Sequence, residues 1–271
     1  MINSIVSVNW LHENLDKPDL IILDASFKKK RPNLTTELTE DTIKNARYFD
    51  IKKDFSDVSN CFPSAFPSAE QFEKSSQRLG INSSSIIVVF DIDGIYSSPR
   101  VWWLFKCMGH KNVAVLDGGY PEWLLHKFPT EKRVVKKVGK GNFKANLSTE
   151  FVRRFKDVEA NVISKKELLV DVRSEKRFKS LVPEPKEGLR CGTIPNSINL
   201  PYTEVLKDGK YKSTEELKEL FSECIQEDRP VIFSCGSGIT ACVVFLASEQ
   251  LIENSIAVYD GSWTEWGTLV Q

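Results

Sequence analysis

The amino-acid sequence carries one series of motifs twice, and this duplication constrains the fold more than any other feature. Four blocks of the first half return in the same order in the second half: LIILDAS and ELLVDVRS, DTIKNARYFDI and GTIPNSINLPY, SSIIVVFDIDG and DRPVIFSCGSG, NVAVLDGGYPEW and SIAVYDGSWTEW. The offset between the copies stays between 143 and 151 residues. Matched blocks at a nearly constant offset predict two tandem domains of one kind.

Each copy alternates short apolar runs with segments that have helical spacing. The runs Ile86–Phe90 and Val231–Phe233 have the length and composition of buried strands. A helical segment, SPRVWWLFKC in the first copy and ACVVFLASEQL in the second, follows each run. Alternating strands and helices are typical of a parallel sheet with helices on both faces. The sequence therefore predicts an α/β fold in which each domain has a central, mostly parallel sheet flanked by helices.

The second copy presents a cysteine at the point where a strand gives way to a helix. Cys235 opens the small-residue loop CGSGIT, which leads into the helix that begins near Ala241. Backbone N–H groups at a helix N-terminus favour an anion, and a thiolate is a nucleophilic anion. The first copy has Asp91 at the matching position, so only the second copy keeps a nucleophile. The alternative is a structural role, because free cysteines are often buried.

Composition and charge exclude several classes of function. Lys plus Arg and Asp plus Glu both number 37, so the zero net charge gives no general attraction to nucleic acid or to acidic membranes. The longest apolar run, Ile239–Ala247, is too short to span a bilayer. The first residues lack a targeting pattern, which favours the cytoplasm over the mitochondrion. The six cysteines include no CxxC pair, so free thiols are expected rather than disulfides.

These motifs together resemble the two-domain rhodanese-type sulfurtransferases over nearly the whole chain. The resemblance is carried by SSPRVWWLFKCMGHKNVAVLDGGYPEW in the first half and by DVRSEKRF, CGSGITA and DGSWTEW in the second. It implies a non-catalytic N-terminal rhodanese-like domain at 1–130 and a catalytic C-terminal domain at 151–271. Between the copies, the basic stretch Lys132–Lys144 predicts a solvated linker at 131–150. The neutral loop resembles the 3-mercaptopyruvate branch of the family, since the thiosulfate branch typically has basic residues there.

The resemblance implies a reaction. The Cys235 thiolate takes sulfane sulfur from the small-molecule donor 3-mercaptopyruvate, releases pyruvate and becomes a persulfide. Thioredoxin, a low-molecular-weight thiol or cyanide then accepts the sulfur. The loop that would bind the donor comprises Gly236, Ser237, Gly238, Ile239 and Thr240. No metal or organic cofactor is implied, and neither nucleic acid nor a membrane is expected as a partner.

The family also uses two cationic residues to hold its donor. The first corresponds to Arg177 in DVRSEKRF, for which pairing with a domain carboxylate such as Asp171 is the structural alternative. The second corresponds to Lys186 in PEPK, where the family usually has Arg. Lysine keeps the charge but lacks the bidentate fork that suits a carboxylate. Arg190, four residues on, is a candidate substitute.

Further departures from the family pattern keep a weakly active or non-enzymatic role open, beside the related thiosulfate activity. The family's GHIPG element has a histidine in each half, where this chain has Thr42 and Thr193. A proton relay through the first of these histidines is therefore not expected. The alternatives are a thiosulfate sulfurtransferase and a weakly active or non-enzymatic sulfur carrier. A cysteine phosphatase is excluded because Ala241 stands where its phosphate-binding Arg is required.

Overall fold

The structure is a computed structural model that describes residues 2–28, 39–226 and 228–270. The chain divides into two compact units. The first unit comprises 1–59, 66–148 and 208–210, and the second comprises 60–65, 149–207 and 211–271. One copy of the duplicated blocks falls in each unit. Within the described residues, no helix has the length and apolar character that crossing a membrane requires.

The first unit contains a five-stranded parallel sheet. The strands of the whole unit are β1 (Ile5–Val6), β2 (Leu20–Asp24), β3 (Asp41–Ile43), β4 (Arg47–Tyr48), β5 (Ile86–Phe90), β6 (Val113–Leu116) and β7 (Thr130–Lys132). Its helices are α1 (Val8–Glu13), α2 (Ala69–Arg78), α3 (Ser98–Cys107) and α4 (Gly119–Leu125). The sheet has the order β1-β6-β5-β2-β4, while β3 and β7 form a separate antiparallel pair. The central strand β5 is wholly apolar, as expected for a strand of a sheet that helices cover on both faces.

The second unit repeats this arrangement. Its strands are β8 (Val152–Arg153), β9 (Leu168–Asp171), β10 (Ser197–Asn199), β11 (Leu206–Lys207), β13 (Val231–Ser234) and β14 (Ile256–Tyr259). The strand β12 (Lys210–Tyr211) begins at the last residue of 208–210 and ends at the first residue of 211–271. The helices of the second unit are α5 (Phe155–Ser164), α6 (Glu175–Phe178), α7 (Thr214–Cys224), α8 (Ala241–Ser248) and α9 (Ser262–Leu269), with a 3-10 turn at Tyr202–Val205. The parallel sheet runs β8-β14-β13-β9-β10, the same order as its counterpart. The predicted α/β fold with two related parallel sheets is confirmed.

The segment after β7 differs from the solvated linker that its basic residues predict. Lys137 and Lys140 are exposed, but Phe143 is only 1% exposed. Its ring lies 5.7 Å from the rings of Phe105 and His110. Its carbonyl oxygen accepts a hydrogen bond from Gln77 Nε2 at 2.9 Å. Burying one aromatic ring therefore fixes this segment on the first unit despite its charge.

The same segment supplies a cation to the carboxyl end of β2. Asp24 is 1% exposed, and the guanidinium of Arg133, 109 residues later, hydrogen-bonds its carboxylate. In the second unit the matching Asp171 is paired with Arg173, two residues along the same chain segment. The first copy has Ser26 where Arg173 stands, so a distant residue provides the charge that its own motif lacks.

Candidate active site

Cys235 lies where the sequence predicts it, between the end of β13 and the start of α8. It is 1% exposed. Its backbone N–H donates to Ser262 Oγ at 3.0 Å, and its carbonyl accepts from the Trp263 N–H at 3.0 Å. The start of α9 therefore holds the cysteine backbone from both sides.

The loop after Cys235 offers backbone donors to an anion. Gly238 has φ of +73°, a conformation that favours glycine. The N–H groups of Gly236, Ser237, Ile239 and Thr240 meet no acceptor among the described residues. Successive unpaired N–H groups at a helix N-terminus form an anion-binding cradle. The loop can thus stabilise negative charge on sulfur or on a bound substrate.

The matching loop of the first unit shows this capacity directly. Asp91 follows β5 as Cys235 follows β13, and it is fully buried. Its Oδ2 accepts the N–H groups of Tyr96, Ser97 and Ser98 at 3.1, 2.9 and 2.8 Å and the Ser98 hydroxyl at 2.7 Å. A carboxylate therefore occupies the strand–loop–helix position that holds a thiol in the second unit.

Arg177, on the short helix α6, faces the Cys235 loop. A Cβ added at Gly236 would lie 3.0 Å from Arg177 Nη2. Arg177 does pair with a carboxylate of its own domain, as the structural alternative predicts, but the partner is Glu184 at 2.5 Å and not Asp171, which binds Arg173. Burial lowers the pKa of Arg177, but the hydrogen bonds and charge of Glu184, with the charge of Cys235, raise it above its ordinary value overall.

The two other cations considered from the sequence do not join Arg177 in the structure. Lys186 is exposed, and its ammonium has no partner among the described residues. Arg190 donates from Nε and Nη2 to the Val270 carbonyl at 3.1 and 2.8 Å, and its guanidinium lies 4.7 Å from the Trp263 ring centroid. Arg190 is therefore engaged at the end of α9 instead of substituting for the missing arginine.

Ser262 belongs to the site but was not predicted from the sequence. Its buried Oγ accepts the N–H groups of Cys235 and Gly238 at 3.0 and 3.2 Å, and it lies 3.8 Å from Cys235 Sγ. Its φ is +49°, unusual for a residue with a side chain. The first copy has Gly119 at this position, where a Cβ would clash with the Gly94 carbonyl oxygen. This glycine-to-serine difference between otherwise matched blocks was the available signal.

The two threonines at the family's histidine positions differ in their surroundings. Thr42 is 3% exposed, and its hydroxyl donates to Asp24 Oδ2 at 3.2 Å. Its side chain thus supports the carboxyl end of β2 in the first unit. Thr193 is half-buried in the second unit. Within 2–28, 39–226 and 228–270, no three His, Cys, Asp or Glu side chains gather as a metal site would require.

Comparison with known proteins shows which family the sequence matches. The rhodanese-like domain model matches residues 7–126 and 155–269. The human 3-mercaptopyruvate sulfurtransferase is 36% identical over 97% of this chain and 91% of its own length. The mouse thiosulfate sulfurtransferase is also 36% identical, over 97% of this chain and 91% of its own length.

A solved structure extends the likeness to three dimensions. The crystal structure of SseA from Escherichia coli, described among 3-mercaptopyruvate sulfotransferases, matches with a TM-score of 0.84 and 31% identity. The match covers 97% of this chain and 99% of that one. With two matches to the domain model and full-length relatives, the chain belongs to the rhodanese family and contains two rhodanese-like domains.

Proposed function

We propose that this chain is a sulfurtransferase that moves the sulfane sulfur of 3-mercaptopyruvate to a thiol through a persulfide on Cys235, releasing pyruvate. The observation that carries the proposal is the combination at the loop: a buried thiol, N–H groups that meet no acceptor in the described part of the chain, and the Arg177 guanidinium beside Gly236. The sulfurtransferase activity named for the full-length relatives supports it.

The reaction needs no external reductant or oxidant. The Cys235 thiolate attacks the donor sulfur, an S–S bond forms, and the C–S bond of 3-mercaptopyruvate breaks. The electron pair of the broken bond goes to carbon, which takes up the proton of the donor thiol to give the methyl group of pyruvate. Cys235 is left as a persulfide anion, which the loop N–H groups can stabilise. Because the donor carries its own proton, the chemistry is compatible with Thr42 and Thr193 in place of histidines.

The loop favours 3-mercaptopyruvate over thiosulfate. Sequence identity does not separate the two donors, since a relative named for each is 36% identical to this chain. Gly236, Ser237 and Gly238 add no charge, whereas thiosulfate has two negative charges to balance. A single guanidinium such as Arg177 suits a single carboxylate, which it can bind through two parallel N–H bonds.

The other assignments complete the proposal. Cys235 is the nucleophile, Arg177 binds the donor carboxylate, and residues Gly236 to Thr240 surround the transferred sulfur. Lys186 is retained as a peripheral cation that attracts the donor from the surface. The proposed domains are 1–130 and 151–271, joined by 131–150. The acceptor is a small thiol or thioredoxin, and the cytoplasmic location stays a prediction.

One preparation of the enzyme tests the proposal against its alternatives. Purified protein and the Cys235→Ser variant are each given 3-mercaptopyruvate or thiosulfate, and pyruvate, sulfite and protein mass are measured. The proposal expects pyruvate release and a mass gain of one sulfur atom, both abolished by Cys235→Ser. Faster turnover with thiosulfate would assign the other donor. A stoichiometric persulfide with turnover near background would indicate the sulfur carrier, and turnover by Cys235→Ser would refute the cysteine mechanism.

A further inference from the structure

A buried carboxylate lies behind Arg177. Glu184 belongs to the sequence Val182-Pro183-Glu184-Pro185, and its side chain is 1% exposed. A proline on each side restricts the backbone of this residue, since proline fixes its own φ and disfavours helical geometry in the residue before it. The backbone that carries the Glu184 carboxylate is therefore conformationally restricted.

Glu184 joins two arginines. Its Oε1 accepts from Arg173 Nη1 at 2.8 Å and from Arg177 Nε at 3.2 Å, and its Oε2 accepts from Arg177 Nη2 at 2.5 Å. Arg173 is itself fully enclosed, with its other nitrogens bound to the Asp171 carboxylate and to the Gly192 carbonyl. Glu184 is consequently held by the fully buried Arg173 and in turn binds one edge of the Arg177 guanidinium.

Glu184 occupies the edge formed by Nε and Nη2, which leaves the Nη1–Nη2 end of the guanidinium as the free edge. Nε and Nη2 are engaged with Glu184, while Nη1 donates to no acceptor among the described residues. This end lies beside the loop, since a Cβ at Gly236 would lie 3.0 Å from Nη2 and 3.8 Å from Nη1. An arginine whose edge is fixed in this way loses less conformational freedom when it binds a carboxylate.

We propose that Glu184 is a positioning residue, which orients Arg177 so that its free edge receives the carboxylate of the sulfur donor beside Cys235. The inference rests on the proposed function for the identity of the donor. It concerns how a carboxylate is received at this site, so it can be tested without sulfur transfer. Glu184 itself touches neither the donor nor the thiol in this account.

Two alkylating agents separate orientation of a carboxylate from reactivity of the thiol. Iodoacetate carries a carboxylate next to its reactive carbon, and iodoacetamide carries a neutral amide there. The ratio of their rates at Cys235 is measured by mass spectrometry in the full chain and in Glu184→Gln. We expect Glu184→Gln to lower the iodoacetate-to-iodoacetamide ratio by roughly tenfold to a hundredfold, the cost of a misplaced binding group. The iodoacetamide rate should stay near that of the unmodified chain.

Matched variants identify the route of the effect. Glu187→Gln makes the same chemical change three residues away, at an exposed carboxylate without a partner among the described residues, and should leave the ratio unchanged. In an Arg177→Met background, Glu184→Gln should change the ratio no further. Glu184→Asp keeps the charge but shortens the side chain, so it decides the matter if Glu184→Gln does not fold.

The outcomes are distinguishable from those of the proposed function. In steady-state assays with 3-mercaptopyruvate, Glu184→Gln should raise KM more than it lowers kcat. An unchanged ratio in a folded Glu184 variant would overturn the positioning role. A raised ratio would also overturn it, because it would show that Glu184 competes with the substrate for Arg177. If the unmodified chain transfers no sulfur, the donor assignment fails while the alkylation ratio still reports on Glu184.

Discussion

The hydroxyl of Ser262 accepts the backbone N–H of Cys235 at 3.0 Å, and it also accepts that of Gly238 at 3.2 Å. One buried oxygen therefore ties the first residue of the loop to its glycine turn. The same hydroxyl donates to the Tyr259 carbonyl at 2.8 Å, so α9, β14 and the loop meet at this atom. The reactive sulfur thus depends on a side chain 27 residues away.

Removing this hydroxyl should loosen the loop. Ser262→Ala leaves two buried N–H groups without their acceptor, and we expect the free energy of unfolding of the second unit to fall by about 1–3 kcal/mol. Ser262→Gly should cost less because glycine relieves the positive φ. Hydrogen exchange of the loop amides and thermal unfolding measure both effects. Ser222→Ala, which removes a hydroxyl from an exposed helix position, is the control; an equal loss there would contradict the role of Ser262.

The first unit should depend on the carboxylate of Asp91. Asp91→Asn keeps the shape of the side chain but removes the charge that five donors share. We expect the unfolding free energy of this unit to fall by about 2–3 kcal/mol, since hydrogen bonds to charged groups are the stronger kind. Urea unfolding of the full chain provides the measurement. Asp16→Asn, at an exposed position, should change the unfolding free energy very little. Similar losses in both variants would contradict the stabilising role of the Asp91 carboxylate.

Arg133 should stabilise the first unit from outside its sheet. Arg133→Met leaves the buried carboxylate of Asp24 without its cation, which typically costs about 3–5 kcal/mol. Adding Asp24→Asn should recover part of this loss because it removes the unpaired charge. Lys137→Met, at an exposed position in the same segment, is the matched comparison. Equal urea midpoints for Arg133→Met and Lys137→Met would show that the ion pair contributes nothing.

Acid should weaken the first unit through His110. Burial lowers the pKa of His110, against hydrogen bonds with the Ser85 and Asn112 backbone that raise it. Since the folded pKa lies below the unfolded value of about 6.5, the unfolded chain binds the proton first as pH falls. The contribution of His110 to the free energy of unfolding is therefore fully present above about pH 6.5 and is lost as the pH falls below that value. His110→Gln should lose less stability than the unmodified chain between about pH 7.5 and 5.5 in urea titrations; equal losses would exclude His110.

Much of the fold could be predicted from the sequence because its signals are local or repeated. Apolar runs of strand length, helical spacing and four matched blocks indicate the two parallel sheets without any knowledge of contacts. The position of Cys235 after a strand and before a helix is equally local. Because the first copy has Asp91 where the second has Cys235, the duplicated sequence alone indicates which copy holds the thiol.

The sequence by itself determined the duplicated α/β architecture and the placement of one cysteine at a helix N-terminus, because neighbouring residues specify both. Only the tertiary structure decided which charges are paired. In the folded chain, Arg177 pairs with Glu184 instead of Asp171, and Arg190 donates to the Val270 carbonyl at the end of α9. Arg133 binds Asp24, which lies 109 residues earlier in the sequence. Such pairings join residues of different segments, and neither periodicity nor composition records which segments meet.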